Sequence, residues 1–461
     1  MTLRFEPILA EGVAQCSYLI GDDGAGVAAV VDPRPDVDIY IERARALGLS
    51  ISHVFETHIH ADFVSGAREL VARLAGRPRL CASVEGGADY GFDHHPIRDG
   101  DSFAFGSVRL TARHTPGHTP EHVSFLLHEG EREEPWGVLS GDSFFVDSVG
   151  RPDLLGDDQT ERLTKALFHT TRDFYMQLAD GVMIFPCHGA GSACGPDIGD
   201  RTSTTVGYER RHNKYARIDD SERFRKEMNK DAPPVPTHYP RLKKVNAVGP
   251  EVQHGLPRVP GLTPDCFAEA VGDDAVQLVD MRDMLAFGGG HITRAVNIGL
   301  MPEASIWAGW MLDPERPIAL VMEDDRSIDQ AVTFLWRVGF TKFAGYLVGG
   351  IGAWREKGGP LETLPQMTVQ ELKDADVTPL DVRSDEEWAA GHVPDATHLF
   401  LGTLKDNLGE LDRRKGYAAY CASGFRASIA ASVLKREGFD HVRNVPGSWL
   451  AWSAAGYKVE R

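Results

Sequence analysis

The segment Thr57-His58-Ile59-His60-Ala61-Asp62 follows the strand-like stretch 53–56 and decides the fold of the first part of the chain. In an extended or turn segment, alternating residues point the same way. His58 and His60, together with Asp62, can therefore converge on one ion. Spacing alone leaves open which of the three side chains do so.

Three further segments carry the same kinds of side chain in loops that follow strand-like runs. They are TPGHT with His118, SGDS with Asp142 and PCHG with His188. Any one of these histidines by itself is best interpreted as an ordinary loop residue. Imidazoles and carboxylates recurring in this order instead predict a site for Zn, Fe or Mn.

The composition excludes several classes of partner. The chain has 461 residues, which predicts about three domains, and its net charge of −18 disfavours nucleic acid and anionic membrane. Six scattered cysteines without a CxxC pair favour free thiols in a reducing compartment. The start lacks a secretory pattern and no apolar run reaches membrane-spanning length, so we expect a cytoplasmic protein.

Residues 1–245 mix short apolar strands with helix-like stretches, which predicts an α/β domain. The charged stretch 209–229 predicts an exposed helix. The proline-rich stretch 232–240 predicts an extended linker, because closely spaced prolines oppose a regular helix. We place the domain boundary between this linker and Leu262.

The rest of the chain contains an internal repeat. Asp280 and Arg282 in VDMR correspond to Asp381 and Arg383 in LDVR, and a Gly-His pair recurs at the same spacing, 101 residues later. This period is far too long for a solenoid unit and predicts two tandem copies of one small α/β domain.

The order HxHxD, TPGHT, GD and strand-His resembles the metallo-β-lactamase fold, which implies an αββα sandwich. The family pattern continues HxHxDH, and the last position is Phe63 here. In the dinuclear hydrolases of that fold this histidine holds the second metal. A phenyl ring cannot coordinate, so a mononuclear centre is expected.

The segments THIHADF, TPGHTPEHVSFLL, GDSFFVDSVGRPDL and HGAGSACG resemble the persulfide dioxygenases in particular. This resemblance implies one Fe(II) per chain, held by two histidines and one aspartate, an arrangement that leaves positions open for O2 and substrate. The implied ligands are His58, His118 and Asp142. The resemblance places three other residues around them: His60, Asp62 and His188.

Substrate contacts are carried over from the same resemblance. Arg151 and Arg210 match basic residues that can pair with the carboxylate or phosphate of a thiol carrier. Cys194, six residues after His188, can face the site or serve only the structure of a Gly-rich loop. The stretch after His188 lacks the tyrosine of the glutathione-using members, which argues against glutathione as the carrier.

In the last copy, residues 365–461, an apolar strand leads into Cys421-Ala-Ser-Gly-Phe-Arg426 and a helix-like stretch. This CxxGxR loop resembles the active loop of rhodaneses. Inward N–H groups, a helix N-terminus and Arg426 would stabilise the Cys421 thiolate and a bound persulfide. The four residues between cysteine and arginine favour a sulfur-sized pocket over a phosphate-sized one.

The middle copy, residues 262–360, has Met322 where the last copy has Cys421, and its loop continues with Glu323, Asp324 and Asp325. A thioether has no ionisable proton and cannot carry a persulfide. The acidic residues would also repel anions. We predict that this rhodanese-like domain is catalytically inactive.

These features predict a persulfide dioxygenase with sulfurtransferase activity. A low-molecular-weight persulfide and O2 would yield sulfite at the iron. Cys421 would transfer sulfane sulfur to sulfite and so form thiosulfate, or it would run this reaction in the reverse direction. Two alternatives are a dinuclear thioester hydrolase of the glyoxalase II type and a non-enzymatic sulfur-carrier or sensor scaffold. We expect a homo-oligomer, either a dimer or a tetramer.

Overall fold

The computed structural model describes residues 3–230, 234–272 and 274–461. The chain divides into two compact units. The first comprises Met1–Leu256 together with Trp336–Gly339, and the second comprises Pro257–Leu335 together with Phe340–Arg461.

The first unit contains two six-stranded sheets, each formed by strands that are neighbours along the chain. The strands of the first sheet are β1 (Leu3–Ala10), β2 (Gln15–Asp22), β3 (Val27–Val31), β4 (Ser50–Phe55), β5 (Arg79–Ser83) and β6 (His95–Ile97). Those of the second are β7 (Ser102–Phe105), β8 (Val108–His114), β9 (Val123–Glu129), β10 (Gly137–Gly141), β11 (Met183–Pro186) and β12 (Thr204–Thr205).

Alternation along the strands sorts the side chains between two faces of each sheet. On β2, Tyr18 and Ile20 join the core between the sheets, whereas Leu19 faces the helices. On β10, Leu139 and Val138 divide in the same way. The helices of this unit are α1 (Asp38–Ala46), α2 (Ala67–Arg73), α3 (Asp157–His169), α4 (Val206–His212), α5 (Ser221–Lys230) and α6 (Tyr239–Val248). The predicted αββα sandwich is confirmed.

The stretch predicted to contain an exposed helix and a linker lies within this first unit. Two buried side chains, Phe224 and Met228, anchor α5 in the core beside α3. Residues 232 and 233 of the predicted linker lie outside the described residues. The expectation of extended chain was wrong at its end, because Pro240 occupies the first turn of α6, where a missing N–H costs nothing.

The second unit contains two smaller parallel sheets with helices between their strands. Its first sheet has β13 (Gly261–Leu262), β14 (Gln277–Asp280), β15 (Val296–Asn297), β16 (Ile318–Val321) and β17 (Phe343–Leu347), with helices α7 (Pro264–Val271), α8 (Met284–Gly289), α9 (Ala304–Met311), α10 (Ile328–Arg337) and α11 (Gly350–Glu356). Its second has β18 (Thr378–Asp381), β19 (Thr397–His398), β20 (Tyr417–Tyr420) and β21 (Val442–Asn444), with α12 (Val369–Asp374), α13 (Asp385–Ala390), α14 (Phe425–Arg436) and α15 (Ser448–Ala454).

The same buried ion pair recurs in both copies. The Arg282 guanidinium donates to the Asp280 carboxylate and to the Gly290 carbonyl, at 2.7 and 2.8 Å. Arg383 makes the equivalent bonds to Asp381 and the Gly391 carbonyl at 2.6 and 2.8 Å. These are the residues of the sequence repeat, and they tie the end of the first long strand to the loop after the next helix.

No helix of the described residues is long and apolar enough to cross a membrane.

We expect Arg383→Met to destabilise the last copy, because it leaves the fully buried Asp381 carboxylate without its partner. Such losses cost about 3–5 kcal/mol. Hydrogen exchange of the β18 and β20 amides measures the effect locally, which matters in a chain with several domains. Adding Asp381→Asn should restore much of the protection. Arg414→Met, which breaks an exposed pair, should leave exchange unchanged. Equal protection in wild type and Arg383→Met would contradict this account.

Candidate active sites

His58 is oriented by a hydrogen-bonded chain that begins at Asp32. The Asp32 carboxylate accepts from the Thr57 backbone N–H at 2.7 Å and from the Thr57 hydroxyl at 2.9 Å. Because that hydroxyl hydrogen is committed to Asp32, Thr57 Oγ1 accepts from His58 Nδ1, at 2.9 Å. The proton on Nδ1 leaves a bare lone pair on His58 Nε2.

His118 is fixed in the same tautomer by a different partner. Its Nδ1 donates to the Arg151 backbone carbonyl at 2.9 Å, and a carbonyl can only accept. His118 Nε2 therefore also presents a lone pair. The Pro-Gly turn before His118 is tightly packed, since a Cβ on Gly117 would lie 2.5 Å from the Leu167 Cβ.

Asp142 lies just beyond β10, fully buried, and uses its two oxygens differently. Its Oδ1 accepts from His188 Nδ1 at 2.7 Å, and its backbone N–H donates to His122 Nε2 at 3.0 Å. Its Oδ2 has no hydrogen-bond partner among the described residues, and neither has His58 Nε2. Two buried hydrogen-bond acceptors thus face each other without a donor between them.

The spacing of these atoms fits a bound ion. Asp142 Oδ2 lies 3.7 Å from His58 Nε2 and 3.6 Å from His118 Nε2. These separations are too long for hydrogen bonds. Two ligand atoms that each lie about 2.0–2.2 Å from a shared ion are separated by about 3–3.8 Å. The three side chains converge as one potential metal-binding group.

The ionisation states suit the same interpretation. Burial, with the charges of neighbouring histidines, holds the pKa of His58 well below its usual range, and burial likewise lowers the pKa of His118. Although burial opposes it, the His188 imidazolium keeps the pKa of Asp142 below its usual value. The site therefore offers two neutral imidazoles and one carboxylate, the forms that bind a metal.

His60 is turned away from this group. Its Nε2 lies 3.2 Å from the Asp32 carboxylate and 3.1 Å from the Glu56 carboxylate. Although burial opposes it, these two carboxylates raise the pKa of His60 to about 10. A protonated imidazole has no lone pair to give, so the structure favours a structural role for His60, with Asn246 of α6 bonding its carbonyl at 2.8 Å.

A second buried group adjoins the first. His188 Nε2 donates to Asp62 at 2.6 Å, and its Nδ1 donates to Asp142. Although burial opposes it, these two carboxylates raise the pKa of His188 well above its usual value. The Cys194 sulfur lies beside Asp62 and His188. The Cys187 sulfur lies beside Asp142 and His188. Burial raises the pKa of both thiols well above normal, so both are neutral.

The basic residues predicted as substrate contacts have other partners. Arg151 is buried and bonds to Asp153 at 2.7 Å and to the Ala193 carbonyl at 3.2 Å, which ties the loop under His118 to the loop of Cys194. Arg210 lies partly exposed against Asp180 and the carbonyl of Leu178. None of its described contacts is with the metal-binding group.

A cation that the sequence analysis did not single out does lie near this group. Lys243 of α6 donates to the Ile59 carbonyl at 3.2 Å and lies 3.8 Å from Glu121. Its charge contributes to the lowered pKa of both His58 and His118. Its position was hidden because it closely follows the stretch 232–240, which was predicted to be an extended linker.

In the second unit, Cys421 follows β20 and its sulfur accepts from the Gly424 N–H at 3.1 Å. The loop turns into α14 through Gly424, whose φ of +119° favours glycine. The Cys421 backbone is fixed from outside the loop, since its N–H donates to Ser448 Oγ at 3.1 Å. The Gly424 amide, at the N-terminus of α14, thus points at the sulfur.

Arg426, at the start of α14, is held by Glu387. Both terminal nitrogens of the guanidinium donate to the Glu387 carboxylate at 2.7 Å. Against the effect of burial, Glu387 raises the pKa of Arg426, with a smaller contribution from Cys421. Glu387 also closes the capping box of α13 with Ser384, so its position is fixed from two sides.

Met322 follows β16 as Cys421 follows β20, so the alignment of the two loops agrees with the topology. In the Met322 loop two carboxylates accept from nearby amides, one in the loop and one in the turn before α11. The Asp324 side chain accepts from the Arg326 N–H at 2.9 Å, and Asp325 accepts from the Gly349 N–H at 3.0 Å.

Sequence reasoning missed the residues that position the metal-binding group, chiefly Asp32, Glu56 and His122. One signal was available for Asp32. It directly follows β3, which pairs in parallel with β4, and carboxyl ends of parallel neighbours meet at one edge of a sheet. His122 lies in the same TPEHV stretch that continues from His118, but its role depends on the position of β10.

An αββα sandwich with this buried group defines a metalloprotein, and the second unit adds two domains of one kind. Residues 11–188 match the metallo-β-lactamase superfamily model, and residues 263–357 and 364–455 each match the rhodanese-like domain model. The chain belongs to the metallo-β-lactamase superfamily and carries two rhodanese-like domains after that domain.

Three relatives illustrate the range of similarity. A solved metallo-β-lactamase of Staphylococcus aureus is 32% identical, with a TM-score of 0.68 over 75% of this chain and 99% of that one. The mitochondrial persulfide dioxygenase of Bos taurus is 29% identical over 48% of this chain and 78% of its own length. A hydroxyacylglutathione hydrolase of Acaryochloris marina is 31% identical over 29% of this chain and 51% of its own length.

We expect Thr57→Val to weaken metal binding by about 10–100-fold, the usual effect of removing a partner that orients a ligating histidine. The change removes the only described hydrogen-bond partner of His58 Nδ1. Competition with a chelator of known affinity measures the dissociation constant. Thr160→Val on the exposed start of α3 is the matched control and should bind metal as wild type does. Unchanged affinity in Thr57→Val would contradict the orienting role.

Proposed function

We propose that the chain is an iron-dependent persulfide dioxygenase joined to a sulfurtransferase. The observation that carries this proposal is the group of two neutral histidines and one carboxylate with unpaired atoms 3.6–3.7 Å apart. His58, His118 and Asp142 would hold one Fe(II) per chain. When bound, the iron would bring O2 and the substrate sulfur together at its open positions.

The overall reaction would be RSS⁻ + O2 + H2O → RSH + SO3²⁻ + H⁺. The substrate is an anion, and Lys243 supplies a positive charge near the group. His60 and His188 would keep the ligand loops in place, because each is locked between two carboxylates and is not free to exchange protons with substrate. Arg151 would act through the loop it holds rather than by direct contact.

Relatedness to a hydroxyacylglutathione hydrolase keeps a dinuclear thioester hydrolase as the alternative. Phe63 argues against it. The ring is fully buried and packs 4.4 Å from the His60 ring, at the place where the family pattern has a metal-binding histidine. Asp62 and His188 are also bonded to each other, which occupies two groups that a second ion would need.

We propose that the Cys421 thiolate attacks a sulfane donor to form Cys–S–S⁻ with release of the donor's leaving group. Attack by SO3²⁻ on the outer sulfur would then give S2O3²⁻ and regenerate the thiolate. The Gly424 amide and the α14 N-terminus would stabilise the charge on sulfur in both steps. Arg426, held in place by Glu387, would add a fixed positive charge beside it.

The two chemistries should separate by mutation. With anaerobically Fe(II)-loaded protein and a thiol persulfide, Cys421→Ser should keep oxygen uptake and shift the products from thiosulfate to sulfite. His118→Ala should lose oxygen uptake while Cys421 still gains one sulfur atom by mass spectrometry. An oxygen electrode and chromatography of sulfur anions give both readouts. Absence of oxygen uptake, with thioester hydrolysis after zinc loading, would favour the hydrolase.

Arg426→Ala should reduce the rate of sulfur transfer from thiosulfate to cyanide by about tenfold, the effect expected when a charge-assisted hydrogen bond is lost. Glu387→Gln tests the positioning role, since the neutral amide still bonds to Arg426 but holds it less firmly; a smaller loss is expected. Steady-state kinetics with thiosulfate and cyanide check both variants. Oxygen uptake is the internal control and should be unchanged. A wild-type rate in Arg426→Ala would remove this residue from the proposed site.

A further inference from the structure

The inactive rhodanese-like copy contains a pocket of about 280 Å³ beside its Met322 loop. Four methionines contribute to its wall, and one residue comes from the start of α14 in the active copy. The lining includes Met281, Met284, Met301, Met322, Leu300 and Phe425. Met281 and Met322 are almost fully buried, so the pocket has a fixed floor and a more open rim.

Methionine side chains are apolar, polarisable and adaptable, and they suit a surface that accepts an apolar body of variable shape. The pocket occupies the position where the active copy holds its reactive cysteine, because Met322 and Cys421 follow equivalent strands. The two copies therefore place a thioether and a nucleophilic sulfur at the same position of the fold.

The hydrogen bonds of the Met322 loop disfavour a bound anion, because carboxylates of the loop already accept from the nearby amides. In the active copy an amide donates to the cysteine sulfur. Here the Asp324 and Asp325 carboxylates accept from amides of the loop and of the turn before α11. An incoming anion would find no free donor from these amides and would meet like charge.

The remaining charges favour a cation. Arg282 lines the pocket, but its charge is matched by Asp280 within a buried pair. Arg326 is 90% exposed and paired with Asp324, so it does not offset the other acids. Glu323 and Asp283 also line the pocket. Within the part of the chain that the structure describes, no basic side chain pairs with the Glu323 carboxylate.

The pocket wall is also in contact with the Cys421 loop. A Cβ on Gly424 would lie 2.9 Å from the Met284 sulfur, so this thioether packs directly on the glycine whose amide bonds to Cys421. The Phe425 ring packs over Gly299 on the other side. A molecule in the pocket would press on two consecutive residues of the active loop.

We propose that this pocket binds a small organic ammonium ion with an apolar body, and that its occupancy alters sulfur transfer at Cys421. The first part stands on the pocket alone. The second part rests on the proposed sulfurtransferase function.

The test uses benzylamine, protonated at neutral pH, as the probe and benzoate as the size-matched anion. In the full chain labelled with [methyl-13C]methionine, benzylamine should saturably shift the methyl signals of Met281, Met284 and Met322, assigned by single Met→Leu variants. Met183 of the first unit should not shift. Benzoate should give no saturable shift over the same range, and Glu323→Gln should weaken benzylamine binding several-fold.

Met322→Trp fills the pocket and should abolish the shifts, with Leu300→Trp as a second filling variant if the first does not fold. Sulfur transfer by wild type should change when benzylamine saturates, and transfer by a filled variant should not. Absent shifts, equal binding of benzoate or shifts that persist in a filled, folded variant would overturn the binding site. Saturable shifts without any change in sulfur transfer would overturn the coupling to Cys421 and would leave the dioxygenase proposal untouched.

Discussion

The buried carboxylate of Asp142 is the constraint on which the first unit depends. A charge removed from water must be compensated, and this one receives a bond from the His188 imidazolium on only one of its oxygens. The other oxygen faces two histidine lone pairs whose tautomers are fixed by Thr57 and by the Arg151 carbonyl. An arrangement with an unpaired oxygen opposite two unpaired nitrogens is costly without a cation between them, and the surrounding loops are built to maintain it.

The second unit shows how one frame supports opposite chemistry. Both copies keep the buried Asp-Arg pair that holds the first long strand to the following loop. The loop after the next strand then differs. In the active copy the Cys421 sulfur accepts a hydrogen bond from a loop amide. In the inactive copy a loop amide donates to the Asp324 carboxylate instead. The frame fixes where the loop lies, whereas a few side chains decide whether it attracts or repels anions.

Much of this was readable from the sequence. The tandem copies and the position of Cys421 at a helix start follow from local patterns, the αββα sandwich was implied by the resemblance of the motifs to the metallo-β-lactamase fold, and the structure agrees with all three. The error at residues 232–240 has a physical reason: proline opposes the interior of a helix but not its first turn, and Pro240 lies in that turn of α6. Consequently Lys243 and Asn246, which serve the site from α6, were overlooked.

The sequence by itself determined which side chains were available for chemistry, because HxHxD, TPGHT and CxxGxR place histidines, carboxylates and a cysteine at strand ends through local geometry. It could not decide how His58 and His60 differ, since both have the same spacing. That was decided by the tertiary structure. Asp32 and Glu56 lie close enough to stabilise the protonated form of His60, whereas Asp32 reaches His58 only through the Thr57 hydroxyl and leaves its Nε2 bare. Such differences depend on distances between strands, which no local pattern encodes.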